Sequence, residues 1–258
     1  MLTDQSPVAR VGLDGVALKP LEHDLALAAD LETDLLNVDY EGHDPFPDAA
    51  TLRELAADHR VTVTTPVRAD GFDPLGDDSL LPLPDEVGRV LVAGNPTYLT
   101  DEERGRAVAP RLGTAREAAP DAWVGTEGVE RVAMAAGGTQ YELLGRNTER
   151  EVRALRAAGF EGGIALYAPV VLSDDEDAIL DAVGGYTSRR GPVRRALPDG
   201  AATDADATGR AREVLSQAVR DFALVGAAAE VADRITDLKA AGVDAVVGYP
   251  ARGLDEFR

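Results

Sequence analysis

The feature that most limits what this chain can fold into is an alternation. Eight short apolar segments are separated by stretches with helical periodicity: Val8–Leu13, Leu35–Asp39, Val61–Thr65, Arg89–Ala93, Ala122–Val124, Gln140–Leu144, Gly163–Tyr167 and Ala245–Val247. Parallel strands need crossover helices, so strands alternating with helices predict a parallel sheet. Eight such units in 258 residues predict an α/β fold, a single (β/α)8 barrel, whose chemistry lies on the loops after the strands. The chain reads as one domain over 1–258. Its hydrophobic content of 45% supports one sizeable core, and no Pro/Gly/Ser-rich linker divides it. Within it, residues 1–7 read as a tail, 70–88 as a long loop, and 187–208 as a mobile insertion containing a stretch poor in large apolar side chains, AATDADATG at 201–209.

Helix-end signals support the alternation. Thr100 with Glu103, Thr148 with Glu151, and Ser173 with Glu176 have the spacing of a capping box. Asp48 is placed to cap the helix carrying Leu52 and Leu55. Val231, Ile235 and Leu238 form an i, i+4, i+7 stripe that predicts a helix packed on the barrel, stopped by Gly242.

Composition narrows the function classes. There is no cysteine, which excludes disulfides, thiolate metal sites and a Cys nucleophile. The polar start of the chain lacks the apolar core of a signal peptide, and no apolar run approaches a membrane span, so a cytoplasmic location is expected. The formal charge is −20, and of 26 basic residues only Lys19 and Lys239 are lysines. That balance reads as a halophilic, acidic surface and argues against nucleic acid and anionic membranes as partners. A small-molecule substrate is the expected partner.

The barrel reading gathers candidate chemistry at one opening. Asp39 and His43 follow the second strand. A histidine there can act as general acid or base and the aspartate can orient it; Asp14, after the first strand, would join them. The alternative for His43 is a solvated loop residue. His23 reads as a helix-surface residue, and His59 as a partner of a helix C-terminus at the opposite end. Thr64, Thr65 and Arg68 end the third strand, Asn95 the fourth with Tyr98 nearby, Asn147 the sixth and Tyr167 the seventh; together they make a polar mouth suited to ligand binding. Lys19, in the first loop, reads as an anion contact or an exposed residue rather than a Schiff-base lysine. The turn Gly125-Thr126-Glu127-Gly128 sits after the fifth strand and opens a helix, whose amides attract phosphate. Its Glu127 would compete with such an anion, and the alternative is plain capping, with the carboxylate satisfying the helix dipole. Arg189, Arg190, Arg194 and Arg195 form the basic cluster, suited either to an anionic tail or to pairing with neighbouring aspartates. No metal site is expected, and no Walker, zinc-spacing, nucleophile-elbow or dinucleotide fingerprint occurs.

Several segments resemble one superfamily. The run FALVGAAAEVADRITDLKAAGVDAVVGYP, Phe222 to Pro250, is similar to the end of the luciferase-like monooxygenases, which include flavin enzymes and oxidoreductases using coenzyme F420. GTEGVERVAMAAGGTQYELL, Gly125 to Leu144, resembles that superfamily's Gly-rich turn, Ala-rich helix and following strand. Gly159 to Val171 and Ala28 to His43 echo further segments. The resemblance implies a (β/α)8 fold, hydride transfer on an unknown small molecule with F420 or FMN as cofactor, a role for Gly125, Thr126 and Gly128 in holding cofactor phosphate, and a homodimer. Thr65, Asn95, Arg189 and Arg190 complete the expected cofactor contacts. Two other readings stay open: a degenerate barrel that binds without catalysing, and a cofactor-free or metal-dependent lyase or isomerase built on Asp14, Asp39 and His43.

Overall fold

The computed structural model describes residues 6–42, 44–67, 83–95 and 101–258. The strands are β1 (Gly15–Leu18), β2 (Leu35–Val38), β3 (Arg60–Pro66), β4 (Gly88–Val92), β5 (Trp123–Gly125), β6 (Gln140–Leu143), β7 (Ile164–Val171), β8 (Leu224–Val225) and β9 (Ala245–Pro250). All pairings are parallel. β1 to β7 pair in sequence, and β9 closes the ring between β7 and β1. The result is a closed eight-stranded barrel with helices between the strands, a (β/α)8 fold.

β8 stands outside that ring. β6 pairs with β7 only from Ile164 to Tyr167, which leaves the upper edge of the longer β7 without a neighbour. β8 fills it, pairing Leu224 and Val225 with Val170 and Val171. Unpaired backbone groups in a buried strand are costly, and every residue of β7 is buried.

Alternation along each strand divides the core in two. Ala17, Leu35, Val90, Trp123, Tyr141, Ala165, Tyr167, Val247 and Tyr249 cluster inside the ring. Val16, Leu36, Val63, Ile164, Leu166 and Val246 belong to the cluster packed against the helices. Each such buried aliphatic side chain contributes roughly 1.5–3 kcal/mol.

The helices are α1 (Pro7–Val11), α2 (Leu25–Ala28), α3 (Ala49–Ala56), α4 (Asp101–Arg104), α5 (Val108–Ala118), α6 (Glu130–Ala136), α7 (Thr148–Ala157), α8 (Glu176–Ser188), α9 (Gly191–Ala196), α10 (Gly209–Phe222) and α11 (Ala228–Ala241). Val231, Ile235 and Leu238 of α11 are buried, and Gly242 ends the helix in the left-handed conformation. Asp48 caps α3 by accepting from the Thr51 amide at 2.8 Å. Two predicted capping boxes shift. α7 takes Asn147 as its first cap, and Thr148 Oγ1 instead accepts from the Gly145 amide. α8 is capped by Asp175, two residues beyond Ser173. Thr100, and most of the predicted 70–88 loop, lie outside the described residues.

The first predicted strand is corrected. Val8–Leu13 lies mostly in α1, because Ser6 caps it, Pro7 occupies its first turn and Gly12 ends it at φ 78°. Val8 and Val11 pack with Ile235 and Leu238 of α11 in one core. The true first strand starts two residues later, at Gly15. The 187–208 stretch, read as a mobile insertion, is folded: it contains α9, and Val193 and Ala207 are buried with Ile179, Leu180, Leu215 and Val219. Large side chains are replaced there by close backbone approach. A Cβ at Gly184 of α8 would overlap the Thr203 carbonyl oxygen. Among the described residues no helix is long and apolar enough to cross a membrane.

Candidate functional site

The polar wall of the barrel mouth comes from β2 and β3. Inward positions recur every second residue, so Asn37 and Asp39 share one line and Thr62 and Thr64 share the next, with Asn37 in register with Thr62. Thr62 Oγ1 donates to Asn37 Oδ1 at 3.0 Å. Asn37 Nδ2 and Thr64 Oγ1 then donate to Asp39 Oδ1 at 2.9 and 3.2 Å. Burial pushes the Asp39 carboxyl up to about 6, although the Lys19 ammonium and hydrogen bonds from Thr64 and Tyr167 pull the other way. An acid at that value changes charge close to neutrality, which is what proton transfer requires.

Facing it, a chain of aromatic rings runs through the barrel interior from Trp123, which opens β5 near Arg60 at the start of β3, toward the mouth. Trp123 of β5, Tyr141 of β6, Tyr167 of β7 and Tyr249 of β9 follow one another at centroid separations of 5.6, 6.2 and 6.2 Å, the last pair stacked at 11°. The Tyr141 and Tyr167 phenols are held well above their ordinary value, by burial first and the Asp39 charge second, so both stay protonated donors. The α8–α9 junction brings in Tyr186, Arg189 and Arg190. The Arg190 guanidinium lies 4.4 Å from the Tyr186 ring centroid, bonds its hydroxyl, and reaches Glu127 at 3.4 Å. Asp39, Thr64, Asn95, Tyr141, Tyr167 and Arg190 line a cavity of about 380 Å³.

Most predicted residues meet in this cavity, including Asp39, Asn95, Gly125, Thr126, Arg189 and Arg190. Others do not. Asp14 precedes β1 and so lies at the opposite end of the barrel. There it accepts from the Val246 amide at 2.7 Å and pairs with Lys239 at 2.8 Å; the misplaced first strand had turned this structural lock into a candidate acid. Thr65 points outward, one residue out of phase with Thr64; it is fully buried and donates to the Val63 carbonyl. His43 and Arg68 lie outside the described residues.

The 125–128 turn does not lead straight into a helix, since α6 begins at Glu130. The Thr126 amide donates to Tyr141 O, and the Gly128 amide to Glu130 Oε1 at 3.2 Å. Gly94 after β4 fits against this turn; a Cβ there would overlap the Glu127 carbonyl oxygen.

Lys19 is neither a free anion contact nor a simple exposed residue. Its ammonium sits 4.1 Å from the Tyr249 centroid and 3.2 Å from Glu22. Burial would raise Glu22, but hydrogen bonding by Tyr249 and the Lys19 charge outweigh it and hold the carboxyl below its usual range. His23, expected on a helix surface, is buried. Its Nδ1 accepts from the Lys19 amide and its Nε2 faces the Pro250 carbonyl at 3.1 Å, the arrangement of a neutral imidazole. Burial lowers its pKa accordingly. His59 touches the Ala29 carbonyl at the end of α2, as read from the sequence.

Sequence reasoning missed Tyr141, Tyr186, Tyr249 and Glu22. The available signal was a tyrosine at an inward position in both β6 and β9. It also missed a second cavity, of about 1080 Å³, outside β6 between α6, α7, α9 and α10. The two share Thr126, Glu127, Leu143 and Arg190. Glu142 on its floor is pushed up, by burial first and the charges of Glu151 and Glu130 second. Among the described residues no three His, Asp or Glu side chains are grouped to hold a metal ion.

A closed parallel barrel with a half-buried acid and inward tyrosines lining a cavity toward the C-terminal ends of its strands defines the class: a (β/α)8 protein with a ligand-sized cavity where such barrels place their sites. Within that class the chain belongs to the Family of unknown function (DUF7388), whose model matches residues 8–257. Among solved structures it is similar to an F420-dependent secondary alcohol dehydrogenase in complex with an F420–acetone adduct, at 12% identity and a TM-score of 0.60, over 94% of each chain. At that identity the likeness is one of fold. No curated protein matches the sequence.

Proposed function

We propose that this chain is a luciferase-like oxidoreductase that exchanges hydride between a deazaflavin of the F420 type, or FMN, and a small alcohol or carbonyl compound at the barrel mouth. The observation that carries the reading is Asp39, a half-buried carboxyl at about 6 facing Tyr141 and Tyr167 in a ligand-sized cavity. The donor set suits such a cofactor. Tyr141 and Tyr167 offer aromatic surface to a flat heterocycle, and Arg189 and Arg190 line the cavity as cations for an anionic arm. The 125–128 turn contributes less, because its Thr126 and Gly128 amides are already engaged.

The bound cofactor would supply hydride acceptance or donation. Asp39 takes the proton that a substrate hydroxyl loses when its carbon is oxidised, and returns it in the reverse direction. The Thr64 and Asn37 hydrogen bonds hold the carboxylate toward the cavity.

Retention of F420 or FMN by the purified protein, followed by bleaching or recovery of cofactor absorbance on adding alcohols or ketones, tests the proposal. A protein that binds neither cofactor at millimolar concentration overturns it. One observation favours a second reading, a barrel that binds without catalysing. The two terminal nitrogens of Arg190 are tied to Glu127 and Tyr186, and the turn amides to their own neighbours, so much of the anion-binding capacity is already used within the protein. Saturable ligand binding with no turnover supports that reading.

A further inference from the structure

The outer face of β6 departs from the pattern of the other strands. β1, β2 and β7 carry only aliphatic side chains on their outward faces. β6 turns Gln140 and Glu142 outward, since Tyr141 between them faces the interior. Gln140 is spent on the end of α6, its amide donating to the Ala133 and Gly137 carbonyls at 3.4 and 3.3 Å. Glu142 has no such use. Its carboxylate makes no hydrogen bond or ion pair among the described residues, and the charges it meets, those of Glu151 and Glu130, repel it. It lines the cavity of about 1080 Å³ outside β6. The helix layer is open there, because α6 packs chiefly on α5 and α7 on α11. Met134 of α6, Leu155 of α7, and Val214, Ala218 and Phe222 along one face of α10 make apolar walls. Three guanidiniums also line the cavity, and each is paired: Arg146 with Asp221 at 2.6 Å, Arg190 with Glu127 at 3.4 Å, and Arg210 with Glu213 at 3.5 Å. What remains is apolar surface around an uncompensated negative charge.

We infer that this outer cavity is a second ligand site, which takes an organic ammonium ion with an apolar body: Glu142 receives the cation, and the side chains of α6, α7 and α10 cover the body. A carboxylate kept partly from water, with like charges beside it, gains most from a cation, and the walls gain from covering apolar surface. A bare metal ion does not fit, because among the described residues no three carboxylates are grouped to hold one. A neutral or anionic molecule of the same shape leaves Glu142 uncompensated. The site lies on the opposite side of β6 from Asp39 and goes beyond the oxidoreductase reading; it stands whether or not hydride is transferred at the mouth.

The test uses the whole protein and three probes that share a body and differ in charge: 4-phenylbutylammonium, 4-phenylbutanol and 4-phenylbutyrate. Binding is followed by calorimetry in about 0.5 M salt, where diffuse attraction to the acidic surface is largely screened. The ammonium is expected to bind about tenfold tighter than the alcohol, and the carboxylate weakest of the three. Glu142→Gln should bring the ammonium down to the affinity of the alcohol. Asp39→Asn, at the mouth, should leave the ammonium affinity unchanged. Ala154→Phe, which fills the cavity from α7, should weaken ammonium and alcohol alike, and it carries the test if Glu142→Gln fails to fold. In protein ¹³C-labelled at the glutamate carboxyls, the Glu142 signal, assigned as the one missing from Glu142→Gln, should move when the ammonium is added. No ammonium binding at millimolar concentration, equal affinity for the three probes, a preference that survives Glu142→Gln, or one lost in Asp39→Asn overturns the inference.

Discussion

Asp39→Asn should make the protein more stable and less active, with a defined pH dependence. The ordinary value for Asp39 is 3.8 and its folded value about 6, so the fold favours the protonated form. Well below pH 3.8 the carboxyl is neutral whether folded or unfolded and costs nothing. As pH rises from 4 to 6 the unfolded chain ionises freely while the folded site resists, and stability is lost. Above 6 the loss is complete. At about 1.4 kcal/mol per pH unit the full effect is about 3 kcal/mol; solvent reaching the half-buried carboxylate reduces it to about 1–3 kcal/mol. Asparagine preserves the acceptor for Asn37 and Thr64 and never ionises. Guanidinium unfolding of the two proteins from pH 3 to pH 8 should therefore give the smallest difference at the acid end, with the variant pulling ahead by about 1–3 kcal/mol between there and pH 7, or about 2–4 °C in Tm per kcal/mol. If Asp39 handles the substrate proton, turnover falls by about 10²–10⁴ in the same variant. A stability difference independent of pH, or one that shrinks as pH rises, refutes the assignment of a strained acid at the mouth.

Other substitutions probe the supports of the site. Gly94→Ala drives a methyl into the Glu127 carbonyl and should cost about 1–3 kcal/mol in chemical denaturation, displacing the β5–α6 turn. Lys239→Met frees the Gly12 carbonyl and Asp14 at the base of the barrel; this partly exposed contact should be worth about 1 kcal/mol, and the loss should shrink in molar salt. Tyr249→Phe removes the hydroxyl that bonds Glu22, so the Glu22 carboxyl, seen by ¹³C NMR titration, should move up. Leu166→Ala empties a fully buried site behind β7 and should cost about 2–5 kcal/mol with the cofactor question untouched.

The architecture was readable from the strand–helix rhythm because seven of the eight apolar segments coincide with barrel strands. The exception is instructive. A short apolar run such as Val8–Leu13 has no periodicity that separates strand from buried helix; the deciding information lay at its ends, in Ser6-Pro7 and Gly12, which are helix start and stop signals. That one displacement carried Asp14 from the mouth to the base. The site divided along similar lines. Asp39 was legible because it directly follows a strand, Leu35–Val38, that the apolar pattern marks. Thr64 and Thr65 were not separable, since a one-residue phase decides which side chain enters the barrel. Tyr186 and Arg190 reach the cavity only because α8 and α9 fold back over it, a long-range event that local pattern does not encode.

The two lysines show what composition does carry. In a chain whose other cations are arginines, each lysine ends in a confined spot. Lys19 Nζ is held between the Tyr249 ring and Glu22, and Lys239 Nζ between the Gly12 carbonyl and Asp14. A compact ammonium offers three donors from a single point and fits such places, whereas a planar guanidinium spreads its donors over a wide fork. Lysine at these positions is therefore explained by shape as much as by charge. Lys19→Arg should disturb the mouth although it conserves charge, because the larger head must leave either the ring or the carboxylate. Parallel titrations of Glu22 and Asp39 in that variant would show it: both should move up as the cation withdraws. Unchanged titration of both would mean that charge alone placed lysine there.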